Sequence, residues 1–82
     1  MKAKVILYSK PGCHLCEEMK AEIAKADCPD LYDLEEINIQ THESLSDRYR
    51  YDIPVLMING NEAFRHRLTA ESFRDYLKRA VA

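Results

Sequence analysis

The most informative segment of this chain reads YSKPGCHLCEEMK, residues 8–20. Its first residue ends the run of residues 4–8, in which Val5, Ile6 and Leu7 are the continuous β-branched and aliphatic side chains typical of a central strand covered on both faces. Residues 9–12 read as a polar turn, and from residue 13 to 26 the apolar side chains recur at the spacing of one helix face. The segment therefore joins a buried strand to an amphipathic helix, with Cys13 and Cys16 at the junction.

The next stretch of the chain is predicted to form a second strand and a short helix. Pro29 ends the first helix because proline cannot continue the helical hydrogen bonds. Residues 34–39 alternate between apolar and polar side chains, which indicates a strand. Thr41 is predicted to cap a short helix that runs through Tyr49.

The last third of the chain is predicted to contain a hairpin and a final helix. Residues 53–58, IPVLMI, read as a buried strand, and residues 59–61, NGN, have the chemistry of a tight turn. Residues 62–68 alternate as an edge strand does. Thr69 is predicted to cap a helix whose apolar stripe is clear: Phe73, Tyr76, Leu77, Ala80 and Val81.

The predicted order of elements is βαβαββα. A helical crossover makes the first two strands parallel, and the late hairpin adds antiparallel strands. No repeat or linker interrupts this order, so we predict one α/β domain over residues 1–82. It would contain a four-stranded mixed sheet with helices on both faces.

Composition excludes several classes of function. The chain has 82 residues and a net charge of −2, with charges of both signs throughout, and this balance gives no electrostatic reason to expect nucleic acid or an anionic membrane as partner. No apolar run approaches the roughly 20 residues that span a bilayer, and the first run is too short for a signal peptide. Three cysteines are too few for a disulfide scaffold. We expect a cytoplasmic monomer without nucleic-acid or membrane partners.

The position of Cys13 favours a reactive thiolate. Thiol–disulfide exchange requires a thiolate, and an unperturbed cysteine is mostly protonated at neutral pH. A helix N-terminus supplies free N–H donors and the positive end of the dipole, and Lys10 adds a cation nearby. Glu17 and Glu18 oppose this effect because carboxylates disfavour a second negative charge. We therefore expect moderate activation of Cys13.

Cys16 follows one turn later, on the apolar face of the predicted helix. Its thiol is expected to be less exposed than that of Cys13, and this divides the chemistry between the two residues. Cys13 would attack a substrate disulfide, and Cys16 would resolve the mixed disulfide and leave a Cys13–Cys16 bond. The residues thus favour a thiol–disulfide oxidoreductase.

Two other functions remain open from the residues alone. The C-x-x-C pair could belong to a metal-binding module such as a copper chaperone, or to an adaptor domain with a vestigial dithiol. Copper chaperones of this kind end on a strand, whereas this chain ends on an amphipathic helix. A zinc site needs four ligands, and this pair supplies two. The other candidate ligands are scattered along the chain: Cys28, His14, His42 and His66. We therefore predict no metal site.

Two motifs, YSKPGCHLC at residues 8–16 and DIPVL at residues 52–56, resemble the small glutaredoxin-like proteins of the thioredoxin superfamily. The resemblance implies a compact thioredoxin-like fold and a redox-active Cys13–Cys16 disulfide. It also implies disulfide substrates, on proteins or small molecules, and no bound cofactor. Glutathione or a reductase would be the electron donor.

The same resemblance implies further site residues. Pro54 matches the family's cis-proline, which would turn the Ile53 backbone toward Cys13 to pair with an extended substrate. Tyr8 would border the site. Glutathione-using relatives carry a glycine pair before the last helix, and this chain lacks it. We predict that Thr69 and the N–H groups that follow it bind a glutathione carboxylate in place of that glycine pair.

Overall fold

The strands and helices follow the predicted order in a computed structural model that describes residues 2–81. In chain order, the elements are β1 (Ala3–Ser9), α1 (His14–Ala26), β2 (Tyr32–Asn38), α2 (Glu43–Tyr49), β3 (Val55–Ile58), β4 (Asn61–Arg65) and α3 (Ala70–Val81). Short 3₁₀ turns at Pro29–Leu31 and Ile39–Thr41 precede β2 and α2. None of the helices in the described part of the chain is long and apolar enough to span a membrane.

The four strands form one mixed sheet in the order β2–β1–β3–β4. Strand β1 is parallel to β2 and antiparallel to β3, and β4 is antiparallel to β3. Leu7 of β1 lies opposite Glu36 on one side and Leu56 on the other. This register confirms the predicted mixed sheet, and it brings the end of β2 beside the turn that carries the cysteines.

Helices cover both faces of the sheet, as predicted. On one face, α1 and α3 pack over the larger apolar cluster, whose fully buried members include Val5, Leu7, Met19, Leu56, Phe73 and Leu77. On the other face, α2 contributes Tyr49 to a smaller cluster with Cys16, Ile39, Ile53 and Val55. Alternate residues of a strand point to opposite faces, which explains why neighbours in β3 belong to different clusters.

Two predictions about the segment between β2 and α2 are wrong. Ile39 does not extend the strand but begins a buried 3₁₀ turn, because the Asn38 side chain accepts a hydrogen bond from the Gln40 amide at 2.9 Å. Thr41 does not cap α2: its hydroxyl donates to the Asn38 carbonyl at 2.7 Å, and the helix begins after His42.

The hairpin strands are shorter than predicted. Strand β3 begins at Val55, and β4 ends at Arg65. His66 has a left-handed φ of 69°, and the Arg67 amide donates to the Arg65 carbonyl at 2.8 Å, so a tight turn ends the strand. The predicted cap of α3 is confirmed, since the Thr69 hydroxyl accepts a hydrogen bond from the Ser72 amide at 3.1 Å.

Candidate active site

A tight turn places Cys13 at the N-terminus of α1. Gly12 takes a left-handed φ of 76°, which glycine adopts without steric cost, and Cys13 then returns to an extended conformation. The Cys13 sulfur accepts a hydrogen bond from the Cys16 amide at 3.1 Å. One of the N–H donors at the helix end, which have no partner within the helix, is therefore directed at this sulfur.

The two sulfurs are joined as a disulfide, and their Cα atoms lie 5.2 Å apart. Their exposure differs as predicted. Cys13 is half-buried at the surface, whereas only 2% of Cys16 is exposed. A bulky disulfide substrate can approach the first sulfur but not the second.

The charges around the turn are mostly paired with one another. Glu17 lies 2.7 Å from the Lys20 ammonium, and His14 lies 3.9 Å from the Glu18 carboxylate. Partial pairing weakens the repulsion that these carboxylates exert on a thiolate. Lys10 is exposed and lines a cavity beside the turn.

Ile53 and Pro54 precede β3, and the peptide bond between them is cis. The Ile53 amide donates to the Tyr49 carbonyl at 3.1 Å, and the Pro54 carbonyl accepts from the His66 amide at 2.7 Å. Within residues 2–81, no hydrogen-bond donor is bonded to the Ile53 carbonyl. Both Ile53 backbone groups were expected to pair with substrate. Within residues 2–81, the amide is already bonded to Tyr49, whereas the carbonyl has no hydrogen-bond partner.

Most of the predicted site residues meet at one apolar cluster. Tyr8 stacks on Tyr49 with ring centroids 4.9 Å apart. Both rings belong to the cluster that contains Cys16 and Ile53, and Cys13 packs against it. The fold thus brings the dithiol, Tyr8 and the residue before Pro54 together.

Thr69 lies elsewhere, at the N-terminus of α3. Its hydroxyl accepts a hydrogen bond from the Ser72 amide and so caps the helix. The Ala70 amide donates to the Glu22 carboxylate of α1 at 3.0 Å. Hydrogen bonds from Lys25 and from Ala70 lower the pKa of Glu22 below its ordinary value. The place predicted for a glutathione carboxylate is therefore occupied by a carboxylate of the chain itself.

Of the two arginines near this helix end, Arg65 at the end of β4 is already paired. Arg65 lies 2.7 Å from Glu62 and 3.3 Å from Asp52, so its charge is already matched. Arg67 lines an open groove of about 830 Å³ between α1 and the start of α3, together with Thr69. This groove is separate from the cavity beside the cysteine turn.

The sequence did not predict the polar cluster beside Cys16. The buried Ser9 hydroxyl donates to Glu36 at 2.7 Å, and the Lys20 ammonium lies 3.3 Å from the same carboxylate oxygen. All three residues line a cavity of about 280 Å³ together with Cys16. The spacing of Glu17 and Lys20 on one helix face was readable from the sequence, whereas the approach of Glu36 depends on the pairing of β1 with β2.

The remaining cysteine and histidines do not assemble around the dithiol. Within residues 2–81, no group of three or more His, Cys, Asp or Glu side chains is placed to hold a metal ion. Cys28 is half-buried near the end of α1, and burial raises the pKa of its thiol.

Comparison with known proteins places these features in a family. Residues 4–78 match the model of the Glutaredoxin-like domain (DUF836). A curated relative, the glutaredoxin-like protein YDR286C homolog of Dictyostelium discoideum, is 34% identical over 67 residues, which make up 74% of this chain and 62% of that protein. The match thus covers less than two thirds of the relative.

Solved structures agree with the sequence comparison. Protein Ne2328 from Nitrosomonas europaea is 32% identical, with a TM-score of 0.76 over 93% of this chain and 92% of that one. A thioredoxin from Halobacterium salinarum, 10% identical, has a TM-score of 0.70 over 99% of this chain and 76% of its own, which shows the shared thioredoxin-like fold. From these matches and its C-x-x-C pair, the chain belongs to the glutaredoxin-like domain family.

Proposed function

We propose that this chain is a dithiol thiol–disulfide oxidoreductase that reduces disulfides on proteins or small molecules. The observation that carries the proposal is the asymmetry of the Cys13–Cys16 pair. One sulfur is accessible and receives a helix-end N–H, and the other is buried one turn below it. An asymmetric pair of this kind separates the attacking thiol from the resolving thiol.

The first step is an attack on the substrate. The Cys13 thiolate attacks one sulfur of the substrate disulfide, forms a mixed disulfide with it and expels the other sulfur as a thiolate. The amide of Cys16, directed at the Cys13 sulfur, stabilises the charge before the attack.

The second step releases the substrate. Cys16 loses its proton and attacks the Cys13 sulfur, the Cys13–Cys16 bond forms, and the second substrate thiolate leaves. The substrate has then gained two electrons, and the chain has lost two. Two molecules of reduced glutathione, or one dithiol of a reductase, return the electrons and reopen the Cys13–Cys16 bond.

We assign the docking of substrate to the residues around the apolar cluster. The Ile53 carbonyl accepts one N–H from an extended substrate chain, and the buried Pro54 holds Ile53 in place. Tyr8 supplies an apolar wall, and Lys10 a cation on the rim. Because Glu22 occupies the helix end at Thr69, we propose that glutathione acts as a reductant in solution rather than as a ligand bound there.

The test is to trap the mixed disulfide. Reduced Cys16→Ser is mixed with a disulfide-containing peptide, and the adduct is located by mass spectrometry after proteolysis. We expect one peptide on Cys13, because no resolving thiol remains beside it. Cys13→Ser serves as the matched control, with Cys28→Ser in both backgrounds. An adduct that fails to form, or that forms equally in the control, would contradict the proposal.

A further inference from the structure

Within residues 2–81, two large apolar residues are exposed: Tyr51, at 85%, and Leu34 of β2, at 43%. A single exposed apolar residue is common on protein surfaces and implies no function by itself. Tyr51 differs from Leu34 in its surroundings. It lies in the turn between α2 and β3, next to the residues to which we assign the docking of substrate.

The turn that carries Tyr51 leads directly to the open carbonyl of Ile53. The amides of Asp52 and Ile53 both donate to the Tyr49 carbonyl, at 2.8 Å and 3.1 Å, and these two hydrogen bonds close the turn. Tyr51 stands two residues before Ile53, so their Cα atoms are at most about 7 Å apart. A substrate chain that donates to the Ile53 carbonyl therefore passes within side-chain reach of the Tyr51 ring.

Charged neighbours hold the Tyr51 ring in place without covering it. The Arg50 guanidinium lies over the ring, 5.7 Å from its centroid, and the Asp47 carboxylate lies 3.0 Å from that guanidinium. A cation–π contact and an ion pair thus support the ring from the end of α2. The rest of the ring is open to solvent. A supported aromatic ring offers a large contact area and loses little conformational entropy on binding.

The charges around this ring disfavour a basic substrate side chain. Arg48 lies over the neighbouring Tyr49 ring, 5.3 Å from its centroid, and Lys10 is exposed on the cysteine turn. In the described part of the chain, neither Arg48 nor Lys10 has an ion-pair partner. The unmatched charge along this rim is therefore positive, and a lysine or arginine of the substrate would be repelled. An apolar side chain loses nothing to these charges and gains contact with the ring.

We propose that Tyr51 sets the substrate preference of the dithiol: its ring receives an aromatic or large aliphatic side chain that lies one to three residues from the cysteine of an extended substrate peptide. The inference rests on the proposed function, since it names the class of substrate for the same site. The substrate sulfur meets Cys13, and the substrate backbone donates to the Ile53 carbonyl in the adjoining cluster. The apolar side chain farther along the substrate then stacks on Tyr51.

The experiment measures a preference ratio with a set of synthetic peptides. Each peptide is rich in glycine and serine, has one cysteine activated as a mixed disulfide with thiopyridine, and carries one variable residue up to three positions before or after that cysteine. The variable residue is phenylalanine, leucine, lysine or glycine. The parent protein carries Cys16→Ser and Cys28→Ser, so that each attack by Cys13 releases one absorbing thione and leaves a peptide adduct that mass spectrometry identifies. The preference ratio is the rate for a given residue divided by the rate for glycine at the same position.

We expect the parent to prefer phenylalanine over glycine roughly three- to tenfold, at one or two neighbouring positions on one side of the cysteine. Leucine should be intermediate, and lysine should react more slowly than glycine. Tyr51→Ser should bring the phenylalanine ratio close to one, whereas Tyr51→Phe should keep it because the ring remains. Leu34→Ser, which removes the other exposed apolar side chain, is the matched control and should also keep it. A merely structural effect of Tyr51→Ser would slow all peptides alike and leave the ratio unchanged.

Several results would overturn the inference. A phenylalanine ratio in Tyr51→Ser equal to that of the parent would do so. A ratio that is the same at every peptide position, or that falls equally in Leu34→Ser, would indicate unspecific apolar adhesion instead of a defined contact. If no peptide forms an adduct on Cys13, the glycine peptide included, the proposed function itself fails, which distinguishes the two.

Discussion

The N-termini of α1 and α3 use the same backbone donors for opposite purposes. At α1, a helix-end N–H points at the sulfur of Cys13. At α3, the Ala70 and Ser72 amides are bonded to the Glu22 carboxylate and the Thr69 hydroxyl. In the proposed reaction, the sulfur at the first end changes its disulfide partner between Cys16 and a substrate sulfur, whereas the second end is closed by side chains of the chain. Similar helix-end physics thus serves reactivity at one end and stability at the other.

The closed end of α3 is part of a reciprocal connection between the two helices. Glu22 of α1 accepts from the first amide of α3, and Arg74 of α3 donates twice to the Ala26 carbonyl at the end of α1, at 3.1 Å and 2.9 Å. Phe73 of α3 is fully buried and lies edge to face with Tyr32. Hydrogen bonds therefore join α3 to the second half of α1, at Glu22 and at Ala26.

The largest expected effect, on the rate of disulfide exchange, comes from changing Cys13 at the N-terminus of α1. Cys13→Ser keeps an oxygen that caps α1 at least as well as sulfur does. We expect disulfide exchange to fall to background, while the urea midpoint under reducing conditions stays the same or rises. Exchange assays and unfolding curves on the same samples would check this. Retention of exchange would mean that the reactive thiol lies elsewhere.

The matched change at the N-terminus of α3 should lower stability and leave disulfide exchange unaffected. Thr69→Ala removes the hydroxyl that accepts the Ser72 amide, which should lower the free energy of unfolding by about 1 kcal/mol. Exchange with a peptide disulfide should be unaffected, because that hydroxyl and its helix end are engaged within the chain. Urea unfolding measures the first effect and exchange kinetics the second. A large loss of exchange would place Thr69 back in the substrate site.

The smallest effect is one of pH dependence. The pKa of Glu22 in the folded chain lies below its ordinary value of 4.5, because Lys25 and the Ala70 amide bond to the carboxylate. The ionised Glu22 carboxylate therefore stabilises the fold fully at pH values above its ordinary pKa of 4.5. This contribution is lost as the pH falls through the lowered pKa of the folded chain. Glu22→Gln should show a smaller loss of stability between neutral pH and about pH 3.

The control for that measurement is Glu71→Gln, in the first turn of the same helix. Within residues 2–81, Glu71 has no hydrogen-bond or ion-pair partner, so its substitution should leave the acid limb of the stability curve as in the parent. Thermal or urea midpoints across the pH series give the comparison. Identical curves for Glu22→Gln and the parent would show that the Ala70 contact is not maintained in solution.

Sequence patterns among residues only a few positions apart were enough to predict the helices, the strands and the dithiol. The apolar stripe of α3, the stripe of α1 below Cys16 and the Thr69 cap each depend on residues within a few positions of one another. The same local logic failed between β2 and α2. There, the Asn38 side chain competes with the strand and turns the backbone at Ile39.

The sequence by itself determined the order of elements, the helix-end position of Cys13 and the burial of Cys16. Tertiary structure alone decided that Glu36 would meet Ser9 beside Cys16, and that Glu22 would close α3. The reason is physical. Helix and strand periods are set by neighbouring residues, whereas the partners of Ser9 and Ala70 are 27 and 48 positions away and depend on strand register and helix packing.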